Sequence, residues 1–495
     1  MEKGLTKQSI FSAICRSPHG SLKEYLPIAR EAIKAEPLFY QHLVAWTAKH
    51  SQVRDAKIAL PVLGVAFEPD AELLDNSLAH LAALGPRELY KAFMFLRELR
   101  PKGRMQIVDR IIRDYLHQLE GQRHWDGVAV QHARVLKSLY AYARVKPTSD
   151  RVRIVLFGEV AKGDKRPVPK GSVFEAVRDL KKMTAVEAAG AIAKFHIPFL
   201  VAAGALEERI KEPELLQALI ERMTPTELIS NVKTLEKYGI KTNPALRAAF
   251  EKATVKAAKS KQNTLKTTQA VEAVQDDGLK EKLRALQKKQ IAAAGGPEGN
   301  WLVLVDRSPS MHRAIEFGKH VAAALTQFVK GKVYLVFFDS GPMTIDVSGL
   351  SLDQIMKATR HIGTGSATSI GCGLARMLVE KIEVDGIAIV SDGEENTAPY
   401  FPETYKKYAD FVGKDVPVYF YDCDGGTDNL TARMNQAGIE MQKFDLRHGK
   451  TDFYAIPNLV QSMRSSTYSL VDEILATPLL AVGDVLKNST ELLGV

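Results

Sequence analysis

Oxygen-bearing side chains in the second half of the sequence have the types and spacing of a site for a hard metal ion. Asp306, Ser308 and Ser310 alternate directly after the apolar run 301–305. Mg²⁺ prefers octahedral oxygen ligands and usually keeps several water molecules, so one carboxylate and two hydroxyls on a tight turn suit it. Because such a turn is common by chance, the prediction of a metal site needs further oxygen donors downstream.

Two further donors follow in order. Thr368 precedes a helical pattern, and Asp392 follows the apolar run 386–390. Apolar runs that end in a carboxylate are typical of buried strands in open α/β folds, which bind their ligands at the carboxyl ends of the strands. The alternative interpretation is that Ser308 and Ser310 cap a helix and that Asp392 is an ordinary turn residue.

The order of these five residues resembles the metal-ion-dependent adhesion site of von Willebrand factor A domains, over about residues 300–475. The resemblance implies that the two serines and Thr368 ligate a divalent cation directly, for which we expect Mg²⁺. It implies that Asp306 and Asp392 act directly or through water. A carboxylate from a partner can complete the shell in that family.

Other apolar runs in this half extend the α/β pattern. Runs at 333–338 and 418–421 alternate with helical patterns and read as buried strands of a largely parallel sheet. Asp422, Asp424 and Asp428 cluster near one strand end. They form either an acidic loop, which is the commoner arrangement, or a second ion site.

Length and composition are those of a multidomain globular protein. The chain has 495 residues, of which 45% are hydrophobic and 25% charged. Cys15, Cys372 and Cys423 form no CxxC pair, so neither a disulfide framework nor a zinc site is expected, and a reducing cytoplasm suits the chain. No signal peptide and no apolar run of about 18 residues is present, so no membrane association is predicted.

The two halves of the chain differ in charge. Residues 300–495 hold 18 basic and 24 acidic residues, a net charge of −6, whereas residues 1–299 hold 49 basic and 34 acidic residues, a net charge of +15. A basic half joined to an acidic half indicates that the first half meets a polyanion, with nucleic acid the leading candidate. The alternative is a solvated, lysine-rich helical surface.

The basic half reads as one helix after another. Apolar residues recur at three- and four-residue spacing, for example in residues 22–33 and 107–119. Breakers such as Gly85-Pro86 separate the helical stretches. Helix pairs of this length with short joints predict an α-helical solenoid of the HEAT kind, although the sequence has no clean repeat.

Residues 121–153 combine basic and aromatic side chains. They hold seven Lys or Arg residues against two acids. Cationic side chains neutralise phosphates, while aromatic rings and guanidinium planes stack on unpaired bases. The candidate RNA-binding residues are Arg123, His124, Arg134, Lys137, Arg144, Lys146 and Arg151.

The spacing of Arg134, Lys137 and Arg144 would align these three cations on one face of a helix. The alternative is that the tyrosines of this segment are core residues and its charges form a solvated surface.

Three stretches of the basic half resemble the Ro ribonucleoprotein autoantigen family. Residues 136–155 resemble the family's Lys-Pro-Ser/Thr turn between two helices, and residues 195–198 resemble its later Ile-Pro break. Residues 216–239, which include Met223 and Pro225, resemble a further helical stretch. The helical module of that family, called TROVE, is fused directly to a von Willebrand A domain. The chain is therefore identified as a member of this family, and we expect it to be a bacterial or phage relative.

The resemblance implies a ring of helical repeats closed by the A domain. Ro proteins bind small structured noncoding RNAs, called Y RNAs, on a basic outer face and take single-stranded 3′ ends of misfolded RNAs in the hole. Arg144 stands where the family often has a histidine important for Y RNA contact, and Lys146 matches the lysine of Lys-Pro. Bacterial members are associated with exoribonucleases, which implies such a partner.

The expected architecture is an all-α, HEAT-like helical-repeat ring at 1–296, a Rossmann-like α/β von Willebrand A domain at 297–475 and a C-terminal helix at 476–495. The final apolar helix would dock on the ring or on a partner. The expected protein is a cytoplasmic monomer without DNA specificity.

The leading hypothesis for function is RNA binding in RNA quality control or processing, without enzymatic activity. The alternative is a metal-dependent protein-adhesion module on a helical scaffold. A hydrolytic metalloenzyme is disfavoured, because the sequence offers no paired carboxylates with an assignable general base.

Overall fold

A computed structural model of the protein describes residues 7–16, 22–50, 54–122, 125–158, 169–257, 267, 270–271, 273–294, 299–329, 331–365, 367–423, 427–445 and 467–487. The chain divides into two compact units. The α/β unit comprises Met1–Phe39 and Ile291–Thr477, and the helical unit comprises Tyr40–Gln290 and Pro478–Val495. This division follows the expected order of parts but assigns the first 39 residues to the α/β unit.

In the described residues before the sheet, one helix follows another, as predicted. Their bounds are Lys7–Arg16, Leu22–Ala35, Pro37–His50, Arg54–Phe67, Ala71–Ala82, Pro86–Leu99, Met105–Gly121, Trp125–Tyr142, Asp150–Val152, Val173–Asp179, Ala185–Phe195, Phe199–Leu206, Pro213–Arg222, Pro225–Leu235, Pro244–Ala257 and Asp277–Ala294. Short 3₁₀ or π turns lie at Arg153–Phe157, Leu180–Lys182, Glu207–Lys211 and Glu236–Ile240.

Local sequence signals set many of these helix starts. Thr184 and Thr224 each form a capping box with the glutamate three residues later, which satisfies amide groups that the first turn leaves free. Pro86 and Pro225 lie in the first turn of their helices, where a missing amide hydrogen costs nothing. The predicted breaker Gly85-Pro86 therefore marks a helix start.

The C-terminal segment belongs to the helical unit. At the start of its short helix Val482–Lys487, two backbone amides donate to side chains of helix Ala71–Ala82. The amide of Leu480 donates to Asn76 Oδ1 at 3.0 Å, and the amide of Val482 donates to Asp75 Oδ2 at 3.1 Å. Of the two predicted docking places for the tail, the structure uses the helical module; residues 488–495 lie outside the described residues.

The described residues of the α/β unit form a six-stranded sheet. The strands are β1 Trp301–Asp306, β2 Val333–Phe338, β3 Pro342–Asp346, β4 Gly386–Ser391, β5 Val418–Asp422 and β6 Gln442–Asp445. Their order in the sheet is β3-β2-β1-β4-β5-β6, and all neighbouring strands are parallel except β2 and β3. The described helices of this unit after β1 are His312–Phe328, Leu352–Ala358, Gly371–Val379, Phe401–Val412, Asn429–Gln436 and Thr467–Leu475.

The predicted largely parallel sheet and α/β class are confirmed. Strands β1, β2, β4 and β5 are buried along their whole length, which explains their continuous apolar sequences. The sequence did not reveal β3 or β6, because β3 is mostly exposed and β6 has only four residues.

Strand order reverses at β1, which has β2 on one side and β4 on the other. Open α/β sheets bind ligands at such a switch point, outside the carboxyl ends of the strands. Asp306 ends β1 there and Asp392 directly follows β4. Within the described ranges, no helix combines the length and the apolar character needed to span a bilayer.

Candidate functional sites

Asp306 is the centre of the site at the switch point. Its side chain is fully buried, and its two oxygens are both engaged. Oδ1 accepts from the backbone N–H of Ser308 at 2.8 Å, and Oδ2 accepts from the Ser391 hydroxyl at 2.6 Å. These contacts tie the end of β1 to the end of β4 and fix the turn that carries Ser308.

Three loop segments meet around this carboxylate. The backbone N–H of Gly365 donates to the Arg307 carbonyl oxygen at 2.5 Å, which joins the loop before Thr368 to the turn after β1. Asn396 Oδ1 accepts from the Thr368 N–H at 3.1 Å, and the Asn396 N–H donates back to the Thr368 carbonyl at 3.0 Å. The segment after β4 thereby holds the Thr368 loop.

The structure thus brings four of the five predicted metal-site residues to one sheet edge as nearly buried side chains. Asp306, Ser308, Thr368 and Asp392 expose 0%, 6%, 5% and 6% of their surface. Ser310, in the same turn as Ser308, is exposed. A ligand that enters from solvent would therefore meet Ser310 first and Asp306 last.

Burial raises the pKa of Asp306 to about 6, and the nearby charge of Asp392 acts in the same direction. Hydrogen bonds from Ser391 and Ser308 lower the pKa but only partly offset the burial. Two nearly buried carboxylates whose charges repel each other favour a bound cation, since the cation would remove the repulsion.

The helix-cap alternative for the serines does not match the geometry. Helix His312–Phe328 begins after Met311, which occupies the N-cap position, and no side chain caps it. Across the part of the chain that the structure describes, no group of three or more His, Cys, Asp or Glu side chains is arranged to hold a metal ion. A cation at the switch point would therefore depend on the hydroxyls of Ser308, Ser310 and Thr368 beside the two aspartates.

Glu395 joins the start of the helix that follows the Thr368 loop to the start of a second helix, and the sequence pattern did not mark it. Its fully buried carboxylate accepts from the backbone N–H of Gly371 at 3.0 Å and of Phe401 at 2.9 Å, the first residues of two helices. Burial raises the pKa of Glu395 to about 7, while these N–H groups and Arg433 lower it. We call this arrangement the Glu395 clamp.

The acidic cluster after β5 is neutralised by the protein itself. Lys443 Nζ lies 2.7 Å from Asp422 and 2.5 Å from Asp428. Asp428 also caps helix Asn429–Gln436 by accepting from the Thr431 N–H at 2.9 Å. Asp424 lies outside the described residues. Since a lysine occupies the place between Asp422 and Asp428, this part of the cluster matches the acidic-loop interpretation.

The second candidate site lies on the helical unit, around helix Trp125–Tyr142 and the turn after it. Arg134 and Lys137 are exposed on this helix, and Arg144 and Lys146 are exposed in the turn. Arg123 and His124 lie outside the described residues. Arg151 is exposed but forms an ion pair with Asp126.

The predicted alignment of Arg134, Lys137 and Arg144 on one helix face is wrong. The helix ends at Tyr142, and Arg144 has the left-handed φ of 54°. His132 interrupts the helix earlier, with φ −126° and ψ 19°. Arg144 therefore leaves the helix surface instead of continuing it, while Arg134 and Lys137 stay on the same helix.

A glutamate positions this basic turn as well. Glu120 accepts from the Tyr140 hydroxyl at 2.7 Å, from the Thr148 N–H at 2.9 Å, from the Thr148 hydroxyl at 2.7 Å and from the Ser149 N–H at 2.8 Å. We call this arrangement the Glu120 clamp. It fixes the turn that carries Lys146, and nothing in the sequence indicated it.

Packing adds cations from two other helices to the turn. The charges of Arg144, Arg113 and Arg97 all act on the Asp109 carboxyl and lower its pKa, whereas burial raises it more strongly. Arg97 lies on helix Pro86–Leu99 and Arg113 on helix Met105–Gly121. The charges of three arginines that are far apart in sequence therefore act on one acid.

The aromatic residues of this segment divide between core and surface. Tyr140 is buried, as the core interpretation predicted, and its hydroxyl belongs to the Glu120 clamp. Tyr142 keeps 44% of its surface exposed at the helix end. Trp125 is buried, and the Arg151 guanidinium lies 5.9 Å from its ring centre.

Comparison with known proteins rests on fold. No protein-family model matches the sequence. No curated protein matches it either. The crystal structure of the Ro (RSR) protein of Deinococcus radiodurans matches with a TM-score of 0.58 and 12% sequence identity, over 92% of this chain and 100% of that one. The chain therefore has the fold of a Ro protein, with a helical module followed by an A-type α/β domain, as the resemblance in its sequence predicted.

Proposed function

We propose that this protein binds small structured noncoding RNA through the basic turn of the helical unit. The observation that carries the proposal is a group of exposed cations in a chain with the Ro fold: Arg134 and Lys137 on one helix, and Arg144 and Lys146 in the following turn, which the Glu120 clamp holds. Exposed cations on a fixed backbone neutralise phosphates without a large entropic cost, so shape recognition of a folded RNA is the mode they suit.

The proposal extends to the role that the resemblance implies. The RNA would be Y RNA-like, single-stranded 3′ ends of misfolded RNA would enter the hole of the ring, and an exoribonuclease would be the natural partner in RNA quality control or processing. The protein's part is binding and presentation of RNA, not catalysis, in a monomer of the cytoplasm.

The test is binding of the purified protein to a stem-loop RNA with a single-stranded 3′ tail, titrated with salt. The double variant Arg144→Ala/Lys146→Ala should bind at least ten-fold more weakly and reduce the slope of log K against log salt by about 0.7–0.9 per lost phosphate contact. Lys406→Ala/Lys407→Ala, which removes two exposed cations from helix Phe401–Val412 of the α/β unit, is the matched control. Absence of RNA binding by the wild type at low salt would refute the proposal.

A second function concerns the switch point. We infer that it binds a divalent cation, with Mg²⁺ as the expected ion, and that the site takes an acidic group of a protein partner, as in a metal-dependent adhesion module. Ser308, Ser310 and Thr368 would hold the ion beside Asp306 and Asp392, and the ion would supply an open position for a carboxylate. The two nearly buried, mutually repelling aspartates favour this inference.

The measurement for this second function is thermal unfolding with and without MgCl₂. Saturation at about 100 times the dissociation constant should stabilise the wild type by about 2.7 kcal/mol. Ser308→Ala should abolish the response, and Ser348→Ala, in the same unit but outside the three site segments, should retain it. An equal response of wild type and Ser308→Ala would exclude a cation on this turn. The RNA-binding assay should not distinguish Ser308→Ala from the wild type.

A further inference from the structure

An exposed aromatic and cationic cluster lies beside the basic turn. The ring centre of Tyr142 is 6.4 Å from that of Tyr90, at an interplanar angle of 21°, and 6.4 Å from that of Phe93. The Arg97 guanidinium lies 4.6 Å from the Tyr142 ring centre and 5.9 Å from that of Phe93. We call Tyr142, Tyr90 and Arg97 the stacking cluster.

The cluster is accessible although its members contact each other. Tyr142 remains 44% exposed with all three neighbours in place, and Arg97 is exposed. Phe93, by contrast, is buried and serves as the floor on which the others rest. A planar cation over a ring that rests on a second ring is already a partial stack, and its free surface can accept another planar group.

The stacking cluster and the phosphate-binding cations share one location. The Arg97 guanidinium lies over the Tyr142 ring, two residues before Arg144, and the charges of both arginines act on Asp109. Arg144 is two residues beyond Tyr142, and its left-handed backbone turns the chain at this point. A ligand that places a phosphate on Arg144 would therefore place the attached base within reach of Tyr142.

We propose that the stacking cluster is a subsite for an unpaired RNA base, which stacks on Tyr142 and the Arg97 guanidinium while Arg144 holds the neighbouring phosphate. This rests on the proposed RNA-binding function and adds to it a preference for a looped or bulged nucleotide. Bases in an A-form duplex are stacked on each other and present no free face, so a fully paired RNA would use the cations alone.

The chemistry distinguishes this ligand from an acidic peptide. Carboxylates would pair with Arg97 and Arg144 but would not stack on the Tyr142 ring beside them. Arginine and aromatic faces stack on every base, so the subsite would tolerate different bases at the unpaired position. An acidic peptide that competes with RNA for the protein, but does not affect the stacking of the base, would contact only the cations Arg97 and Arg144.

The test compares two RNAs of equal phosphate number, a stem-loop with one 2-aminopurine in its loop and a blunt duplex. Binding of the wild type should quench the 2-aminopurine fluorescence, because the base stacks. Tyr142→Leu should bind the stem-loop roughly ten-fold more weakly than the wild type and should not quench, with unchanged affinity for the duplex. Tyr142→Phe keeps the ring and should behave as the wild type.

Two further variants separate stacking from charge and from general surface loss. Arg97→Lys keeps the charge but not the plane, so the salt slope should stay the same while stem-loop affinity falls. Phe411→Leu removes a ring of similar exposure, 38%, from the α/β unit and should change neither affinity. Thermal unfolding of each variant verifies that it is folded.

The outcomes separate the subsite from the function on which it rests. If the wild type binds both RNAs but Tyr142→Leu retains full stem-loop affinity, or loses affinity for stem-loop and duplex equally, the subsite is refuted and RNA binding stands. Unquenched 2-aminopurine in the wild-type complex refutes the subsite as well. If the wild type binds neither RNA, both proposals fail.

Discussion

The two candidate sites are each held by a glutamate, but in opposite settings. Glu395 is fully buried and links the first residues of two helices, one of which follows the Thr368 loop. Glu120 is partly exposed and holds a turn at the surface of the helical unit. A charge on a buried glutamate has no contact with water, whereas water hydrates an exposed glutamate and its partners. The same residue type should therefore have different energetic consequences in the two regions.

The largest effect is expected at the buried clamp and depends on pH. The pKa of Glu395 is raised from 4.5 to about 7, so the folded protein holds this proton more tightly than the unfolded chain does. Stability from this group is therefore fully present below about pH 4.5 and is lost as the pH rises towards 7. The resulting change in the free energy of unfolding is on the order of 3 kcal/mol.

Glu395→Gln tests this directly, because the amide stays neutral at every pH and can still accept from Gly371. We expect the variant to match the wild type near pH 5 and to be more stable than it at pH 8, measured as the difference in urea midpoint. Asp306, whose raised pKa adds a similar pH dependence, is present in both proteins and cancels in the difference. A variant that is less stable by the same amount at both pH values would mean that the charge pairs productively with Arg433.

A smaller effect is expected at the exposed clamp. Glu120→Ala removes the acceptor of four hydrogen bonds. Because the freed groups of Thr148 and Ser149 can turn to water, we expect a loss of only about 2 kcal/mol in stability. RNA affinity should fall with it, since the Lys146 turn is released.

Urea unfolding and RNA binding measured together on Glu120→Ala test this expectation. Glu98→Ala, which removes an exposed glutamate from helix Pro86–Leu99, is the control and should change neither quantity. Unchanged RNA binding despite the loss of stability would show that the turn needs no clamp to meet its ligand.

The same contrast explains what the sequence could predict. In a parallel sheet, topology brings the carboxyl ends of neighbouring strands together, so reading Asp306 and Asp392 after two apolar runs was enough to place them at one edge. The helical surface has no such rule. Its cations come from separate helices, and Arg97 and Arg113 could not be associated with Arg144 before the packing was known.

Sequence patterns did not predict either clamp, for a related reason. Glu395 acts on backbone N–H groups up to 24 residues away, and Glu120 on groups up to 29 residues away. Such contacts leave no spacing pattern, unlike the capping box of Thr184, whose partner lies three residues on. The predicted helical alignment of Arg144 failed because helix periodicity assumes that the helix continues, and a left-handed residue ends it.

The smallest effect is expected for single exposed cations, and it decides whether the basic surface behaves as a sum of independent contacts. Arg134 is exposed, whereas Arg151 is already paired with Asp126 and lies over Trp125. Arg134→Ala should weaken RNA binding a few-fold, to the same extent for different RNA sequences, and lower the salt slope by about one. Arg151→Ala should lower the slope less, because its charge is partly offset by Asp126. If both variants lower the salt slope equally, the Arg151–Asp126 ion pair opens when RNA binds. The surface would then rearrange around its ligand, unlike the buried Glu395 clamp.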